Sequence, residues 1–332
     1  MQKNKEKPLI SVIIEGYNDS LQLGSAEATL EALRNQNFPA EQVEVILVGS
    51  TAQAGAWARK YQSDRSFFAI KTVGDDDAHY YRLKNEGAKI ASGDILGLLD
   101  SDVIPNNEWL STIYAGIVEK GAEAVAGISM FRDENEIRSP ESPFLLTAAS
   151  ISWGFVVPKE LGRQEILPNA FLSHNLGIRK EVFDRHFYRE DLGRTCAGSF
   201  LFNSLLESGA KLRLQTTQRV AHNFSFWWWL SRLHLRFGYE VFKLRRIDSR
   251  YPNKFLARLS LLEPIISLGW HVLLDIPRWL RFSKAVKLGK FRRYSFLPLV
   301  CGLSFLARSA EMVGMYLTIF LPEKMQSRAA RS

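Results

Sequence analysis

Four short apolar runs rich in β-branched residues, at residues 9–15, 43–48, 67–73 and 95–99, alternate with segments at 25–36, 52–62 and 80–91 of helical spacing. Runs of that length bounded by turn residues read as buried strands. Strands separated by helices are joined by crossovers, so the expected fold is α/β, a mainly parallel sheet with helices on both faces. The pattern continues with a helix over 106–120 and a strand over 122–131. Residues 132–170 carry Pro140, Pro143, Pro158 and Pro168 among charged clusters and read as irregular, the kind of long loop that serves as a lid or binding segment. A strand over 171–179, a helix over 200–208 ended by Gly209, and a strand over 211–220 complete the pattern.

The run at 95–99 ends abruptly in Asp100-Ser101-Asp102. Side chains two apart on a strand share a face, so the two carboxylates converge at the strand end. Oxygen ligands suit Mg²⁺ or Mn²⁺, hard cations that also bind a substrate's phosphates. The C-terminal edge of an open α/β sheet is where such folds hold ligands. The plainer reading of Asp-x-Asp is a turn after a strand, stabilised by local hydrogen bonds. Asp75-Asp76-Asp77 is read that way, as a solvated turn.

Net charge divides the chain. Residues 225–332 hold 19 Lys+Arg against six Asp+Glu and five of the eight tryptophans, whereas residues 1–224 hold 24 against 29. We therefore expect a first domain over 1–224 and a basic, aromatic-rich helical region over 225–332. On a helical wheel Phe226, Trp229, Leu230, Leu233, Phe237, Val241 and Leu244 fill one side, with Arg232, Arg236, Lys243 and Arg246 opposite. That fits either an interfacial helix on anionic lipid or a helix docked on the first domain. Residues 295–321 are long enough to span a bilayer, but Arg308 and Glu311 interrupt them; one turn apart, they can pair. A re-entrant hairpin is the other reading. A basic tail also suits nucleic acid, yet its apolar runs fit lipid better, so no nucleic acid is expected as a partner. The two cysteines, Cys196 and Cys301, form no metal-type pattern and suggest a reducing compartment. The charged N-terminus runs directly into a strand, without the pattern of a signal peptide.

Taken in order, the strand and turn at 11–18, the strand ending in Gly49-Ser50, Lys84-Asn85-Glu86-Gly87-Ala88, Ala91-Ser92-Gly93-Asp94, Asp100-Ser101-Asp102 and Val220-Ala221-His222 resemble the inverting family 2 glycosyltransferases of GT-A (nucleotide-diphospho-sugar transferase-like) fold, of the membrane-associated bacterial type. The resemblance implies that Glu15 and Tyr17 wall the nucleotide base and that Lys84 and Asn85 lie near the nucleotide and its phosphates. It implies that Asp100 faces ribose or metal, that Asp102 coordinates the metal, and that His222 completes the metal or phosphate site. It further implies a nucleotide-sugar donor, a glycan or lipid-linked acceptor, Mg²⁺ or Mn²⁺, and a place on the cytoplasmic face of the cell membrane.

Three departures stand out. Glu15 replaces the usual Pro or Thr. The second strand lacks the Asp that reads the base, which leaves nucleotides other than the uracil kind open. Where relatives place Glu-Asp before a helix, this chain has Ala197-Gly198, and the nearest acids are Glu190 and Asp191, the candidate general bases. Salt bridges to Arg185, Arg189 or Arg194 are the competing role for that pair. Two further readings stay open: a catalytically impaired glycosyltransferase-like scaffold, and a sugar-phosphate nucleotidyltransferase, although residues 16–24 lack the cation its loop needs.

Overall fold

A computed structural model describes residues 8–17, 26–77, 79–133, 142–160, 166–192, 197–251 and 253–330. Its elements are β1 (Ile10–Glu15), α1 (Ala26–Arg34), β2 (Val43–Gly49), α2 (Thr51–Tyr61), β3 (Ala69–Gly74), α3 (Tyr80–Ile90), β4 (Ile95–Asp100), β5 (Val103–Pro105), α4 (Trp109–Tyr114), β6 (Ala124–Asp133), α5 (Pro143–Trp153), β7 (Leu176–Arg179), α6 (Lys180–His186), α7 (Ala197–Glu207), β8 (Leu212–Phe224), α8 (Phe226–Trp228), α9 (Leu235–Ile247), α10 (Glu263–Ala285), α11 (Lys290–Ser295), α12 (Leu297–Phe320) and α13 (Pro322–Ala330).

The strands form one sheet of order β3-β2-β1-β4-β7-β6-β8-β5. Its first four strands are parallel, with Glu15 in register with Asp100. β7 runs antiparallel to its neighbours β4 and β6, and β5 antiparallel to β8, so the whole is mixed. Every residue of β1, β2 and β4 is buried, as expected of strands covered on both faces. Val12 and Ile14 join Leu30 and Leu33 of α1 and Trp109 of α4 in one core. On the other face α3 lies close to Ile13 and Val48. A Cβ on Gly87 would come within 2.6 Å of Ile13 and 2.9 Å of Val48, so only glycine permits that approach.

Two compact units divide the chain. One holds the described residues of Met1–Ser129, Gly162–Gly193 and Ala197–Asn223; the other, those of Met130–Leu161 and Phe224–Ser332. The second unit thus includes 130–133 and 142–160, which the sequence reading assigns to the first domain. The expectation of an irregular 132–170 is corrected by α5. Ser142 caps it through the Leu145 N–H, and Pro143 occupies its first turn, where the missing N–H costs nothing. A proline that reads as a breaker is here a helix start. All residues from Leu145 to Trp153 are buried, so α5 is a core helix of the second unit and has no amphipathic signature to read. The parts of the proposed loop at 134–141 and 161–165 lie outside the described residues.

Within the second unit, α8 runs through a π-helical turn (Trp229–His234) into α9. Trp229, Leu233 and Leu244 are buried there, and Trp229 Nε1 donates to Ser152 of α5. Trp229, Leu233 and Leu244 of the apolar side of 226–247 are thus packed inside the second unit. At the α9–α12 crossing a Cβ on Gly238 would sit 2.1 Å from the Glu311 carbonyl, and one on Gly314 equally close to that of Leu235. Small residues allow this backbone-to-backbone packing.

Candidate active site

The parallel half of the sheet delivers its C-terminal ends to one place in the first unit. Ser101 N–H donates to the Glu15 carbonyl, extending the β1–β4 ladder past its last residues. Thr29 of α1 donates to the carbonyls of Ser101 and Val103 and fixes the Asp-Ser-Asp turn from one side. From the other, β8 pairs with β5 so that His222 stands in register with Val103.

Asp100 is buried, and both its oxygens are engaged. Tyr80 OH lies 2.8 Å from each, and Lys84 Nζ donates to Oδ1 at 2.6 Å. Lys84, fully buried, also donates to the Ser173 carbonyl at 2.6 Å. Burial pushes the Asp100 carboxyl up, but the charges of Lys84, His174 and His222 outweigh it and hold it below the usual aspartate range. Burial, then the charges of Asp100 and Glu15, push the Tyr80 hydroxyl well above its ordinary value, which keeps it a hydrogen-bond donor.

His222 joins the two acids. Its Nδ1 is 3.3 Å from Asp102 Oδ2, and donor atoms of Asp100, His174 and His222 lie within 4.8 Å of one another. The rings of His174 and His222 meet edge to face at 4.4 Å, and Ser129 Oγ is hydrogen-bonded to His174 Nε2 at 2.8 Å. Glu15, Asp100 and Asp102 are all buried at this end of the sheet. Carboxylate oxygens with imidazole nitrogens are a donor set for a divalent cation. The residues present fit a metal.

His174 is the member of this cluster that the sequence reading missed. Its signal was the polar triplet Ser173-His174-Asn175 inside an otherwise apolar stretch; all three are buried. The other sequence candidates take distinct places. Glu15 accepts from its neighbour's backbone, Tyr17 N–H, at 2.8 Å, while Tyr17 is half-buried on the turn beyond β1. Asn85 is turned to the 188–190 loop: its amide donates to the Tyr188 carbonyl and to Glu190 Oε1, and it accepts from Tyr188 N–H. Glu190 is therefore tied to α3, whereas Asp191 is exposed and bridged to Arg189 at 2.5 Å. The Asp75–Asp77 turn has local work: Asp75 pairs with Arg82, and Asp76 accepts from the first N–H of α2.

The family described as Glycosyl transferase family 2 matches residues 11–187. Glycosyltransferase AglE of Haloferax volcanii is 29% identical over 121 residues, 36% of this chain and 39% of that relative. Validoxylamine A glucosyltransferase of Streptomyces hygroscopicus subsp. jinggangensis is 33% identical over 112 residues, 32% and 25% of the two chains. The chain thus spans about two-fifths or less of the length of these relatives. Among solved structures, mannosyltransferase PcManGT of Pyrobaculum calidifontis, in complex with GDP-Man and Mn²⁺, superposes with a TM-score of 0.56 at 16% identity, over 95% of this chain and 88% of that one. S. aureus TarS 1-349 with UDP-GlcNAc gives a TM-score of 0.51 at 17% identity, over 92% and 89%. At such identities these likenesses concern the fold, and they agree with the GT-A arrangement.

Proposed function

The chain belongs to glycosyl transferase family 2, and from that membership and its site we propose that it transfers a sugar from a nucleotide-diphosphate donor to a hydroxyl of a glycan or lipid-linked acceptor, with inversion and metal assistance. The observation that carries this reading is the buried convergence of Asp100, Asp102, His174 and His222 at the C-terminal edge of the sheet. PcManGT with GDP-Man and Mn²⁺, and TarS with UDP-GlcNAc, support a donor of this class.

Asp102, His222 and His174 would hold the ion, with Asp100 beside them at the ribose or the metal. A divalent ion supplies Lewis-acid stabilisation of the charge on a departing diphosphate. Two imidazoles in the donor set favour Mn²⁺ over Mg²⁺. Lys84 and Tyr80 keep the Asp100 carboxylate fixed and charged, so no reorganisation is needed when a donor arrives. Tyr17, with Glu15 beneath it, lines the approach of the base. On the acceptor side a carboxylate takes the hydroxyl proton as the oxygen attacks the anomeric carbon from the face opposite the leaving group. We assign that task to Glu190 ahead of Asp191, since the former is anchored to α3 through Asn85. The basic helical region favours an acceptor and a working position at the cytoplasmic face of a membrane.

Incubating the purified chain with a panel of nucleotide sugars and Mn²⁺ tests the reading. Release of nucleoside diphosphate is expected, falling about 100-fold in Asp102→Asn. Pyrophosphate as product would instead mark a nucleotidyltransferase. No turnover of any donor, with or without acceptor lipids, would mark an impaired scaffold, the reading favoured by the absence of an acid at Ala197-Gly198, where α7 begins.

A further inference from the structure

Two long helices of the second unit, α10 and α12, bury polar and charged stripes. Along α10, Glu263, Ser267, His271 and Asp275 recur every fourth residue, and all are buried. Ser304, Arg308 and Glu311 form the matching buried stripe on α12. The stripes face each other: Arg308 holds Asp275 through both Nε and Nη2 at 2.8 Å, Ser304 donates to the same carboxylate, and Arg308 pairs with Glu311. His234 Nδ1 of the π-turn lies 2.9 Å from Glu311. From α9, Arg245 reaches Glu263 at 2.9 Å and Ser267 at 2.6 Å.

The outer faces are hydrocarbon. Ile265, Ile266, Trp270 and Leu273 of α10, with Phe305, Leu306, Val313 and Phe320 of α12, are 41–66% exposed. Each set lies within one stripe at helical spacing. A helix in water turns charge outward and apolar groups inward. These two do the reverse, and exposed apolar surface on this scale marks a binding face.

Charge identifies the occupant and its geometry. The pair is antiparallel, since His271 faces Glu311 and Trp279 faces Phe296. At 23 and 24 residues each helix is about 35 Å long at 1.5 Å per residue, enough to cross a bilayer. The turn between them, however, is strongly basic: Lys284, Lys287, Lys290, Arg292 and Arg293, with no acid between Asp275 and Glu311. The opposite end of the pair also carries cations, Lys254 and Arg258 ahead of α10 and Lys324 after α12, beside Arg246 and Arg250, which pair with Glu263 and Asp248. A spanning hairpin would send the five cations of the turn across the membrane, against the retention of Lys and Arg on the cytoplasmic side. With both ends kept on one side, the helices lie along the interface, apolar stripes facing the lipid and cations at the anionic headgroups. Trp270 and Tyr294, both exposed, are residues of the kind that settle at headgroup level.

We propose that α10 and α12 form an in-plane, non-spanning platform on an anionic lipid surface, and that the Asp275–Arg308–Glu311 ladder is the polar interior holding the two helices together. This rests on the membrane-associated reading above and adds which face touches lipid and that the pair does not cross.

The full chain, with Cys196 and Cys301 replaced by Ser, is given a single cysteine by Lys254→Cys or by Lys290→Cys. It is then expressed in bacteria, and sealed inside-out membrane vesicles are treated with a membrane-impermeant maleimide. Both positions are expected to label fully without detergent. In parallel, the purified chain should sediment at least ten-fold better with vesicles containing 30% phosphatidylglycerol than with pure phosphatidylcholine. Leu273→Glu, at an exposed position, should remove most of that sedimentation while leaving the circular dichroism spectrum unchanged. Labelling at Lys254→Cys but at Lys290→Cys only after detergent would overturn the in-plane geometry and leave membrane attachment standing. Failure to bind vesicles of either composition, with self-association or a protein partner covering the apolar face, would overturn both.

Discussion

Lys84 and Tyr80 meet Asp100 in a place water does not reach, and that contact sets what the acid can be. A carboxylate with both oxygens engaged by a lysine and a phenol does not migrate toward an incoming ion; it stays put and presents its remaining lone pairs. In the proposed metal site the adaptable partners would be Asp102 and His222, which stand 3.3 Å apart. The two acids proposed for the acceptor side differ as sharply. Glu190 is held by Asn85, and Asp191 is an exposed partner of Arg189. Glu190→Gln is therefore expected to lower kcat about 100-fold or more, the usual contribution of a general base. Asp191→Asn should stay within about two-fold, since an exposed ion pair contributes little. Initial rates of nucleoside diphosphate release at saturating donor measure both; equal losses would show that neither acid has the assigned role.

At the scale of elements, the two ends of the parallel strands have separate duties. The C-terminal ends carry the candidate site, and the N-terminal ends carry a lock centred on Glu44 of β2. Its carboxylate accepts from Ser11 Oγ of β1 at 2.7 Å, from Ser92 N–H and Oγ ahead of β4 at 3.0 and 2.6 Å, and pairs with Lys71 of β3 at 2.6 Å. Burial raises its pKa, yet the bonds from Lys71, Ser11 and Ser92 outweigh that and leave it below the ordinary glutamate value. A carboxyl with a lowered folded pKa contributes stability that is present above its unfolded pKa, about 4.3, and lost as pH falls through the folded value. Glu44→Gln should cost about 2 kcal/mol at pH 7, because it removes charge-assisted hydrogen bonds. The variant should lose less stability than the parent between pH 5 and 3. Urea titrations across that range, followed by circular dichroism, check both the cost and the slope.

Across the whole molecule, binding and folding are linked. A donor and metal that bind only the folded chain should raise its stability by about 2.7 kcal/mol at a hundredfold excess over Kd, or about 4 °C in Tm for a chain of this length. The shift should require Mn²⁺ and vanish with a chelator, and differential scanning fluorimetry reads both; a shift that survives chelation would place the ion outside donor binding. The sequence alone determined the parallel half of the sheet, the Asp100–Asp102 strand end and the family, because strand burial, helical spacing and an i, i+2 pair are local periodicities written directly in residue order. It could not show that α5 is a core helix, that His174 joins the site, or that α10 and α12 turn their charges inward. Those depend on which segments meet across separations from 29 to 157 residues of chain. A buried Asp275 and an exposed one look alike until Arg308 is brought beside it, and only tertiary packing decides whether a charge stripe faces water or another charge.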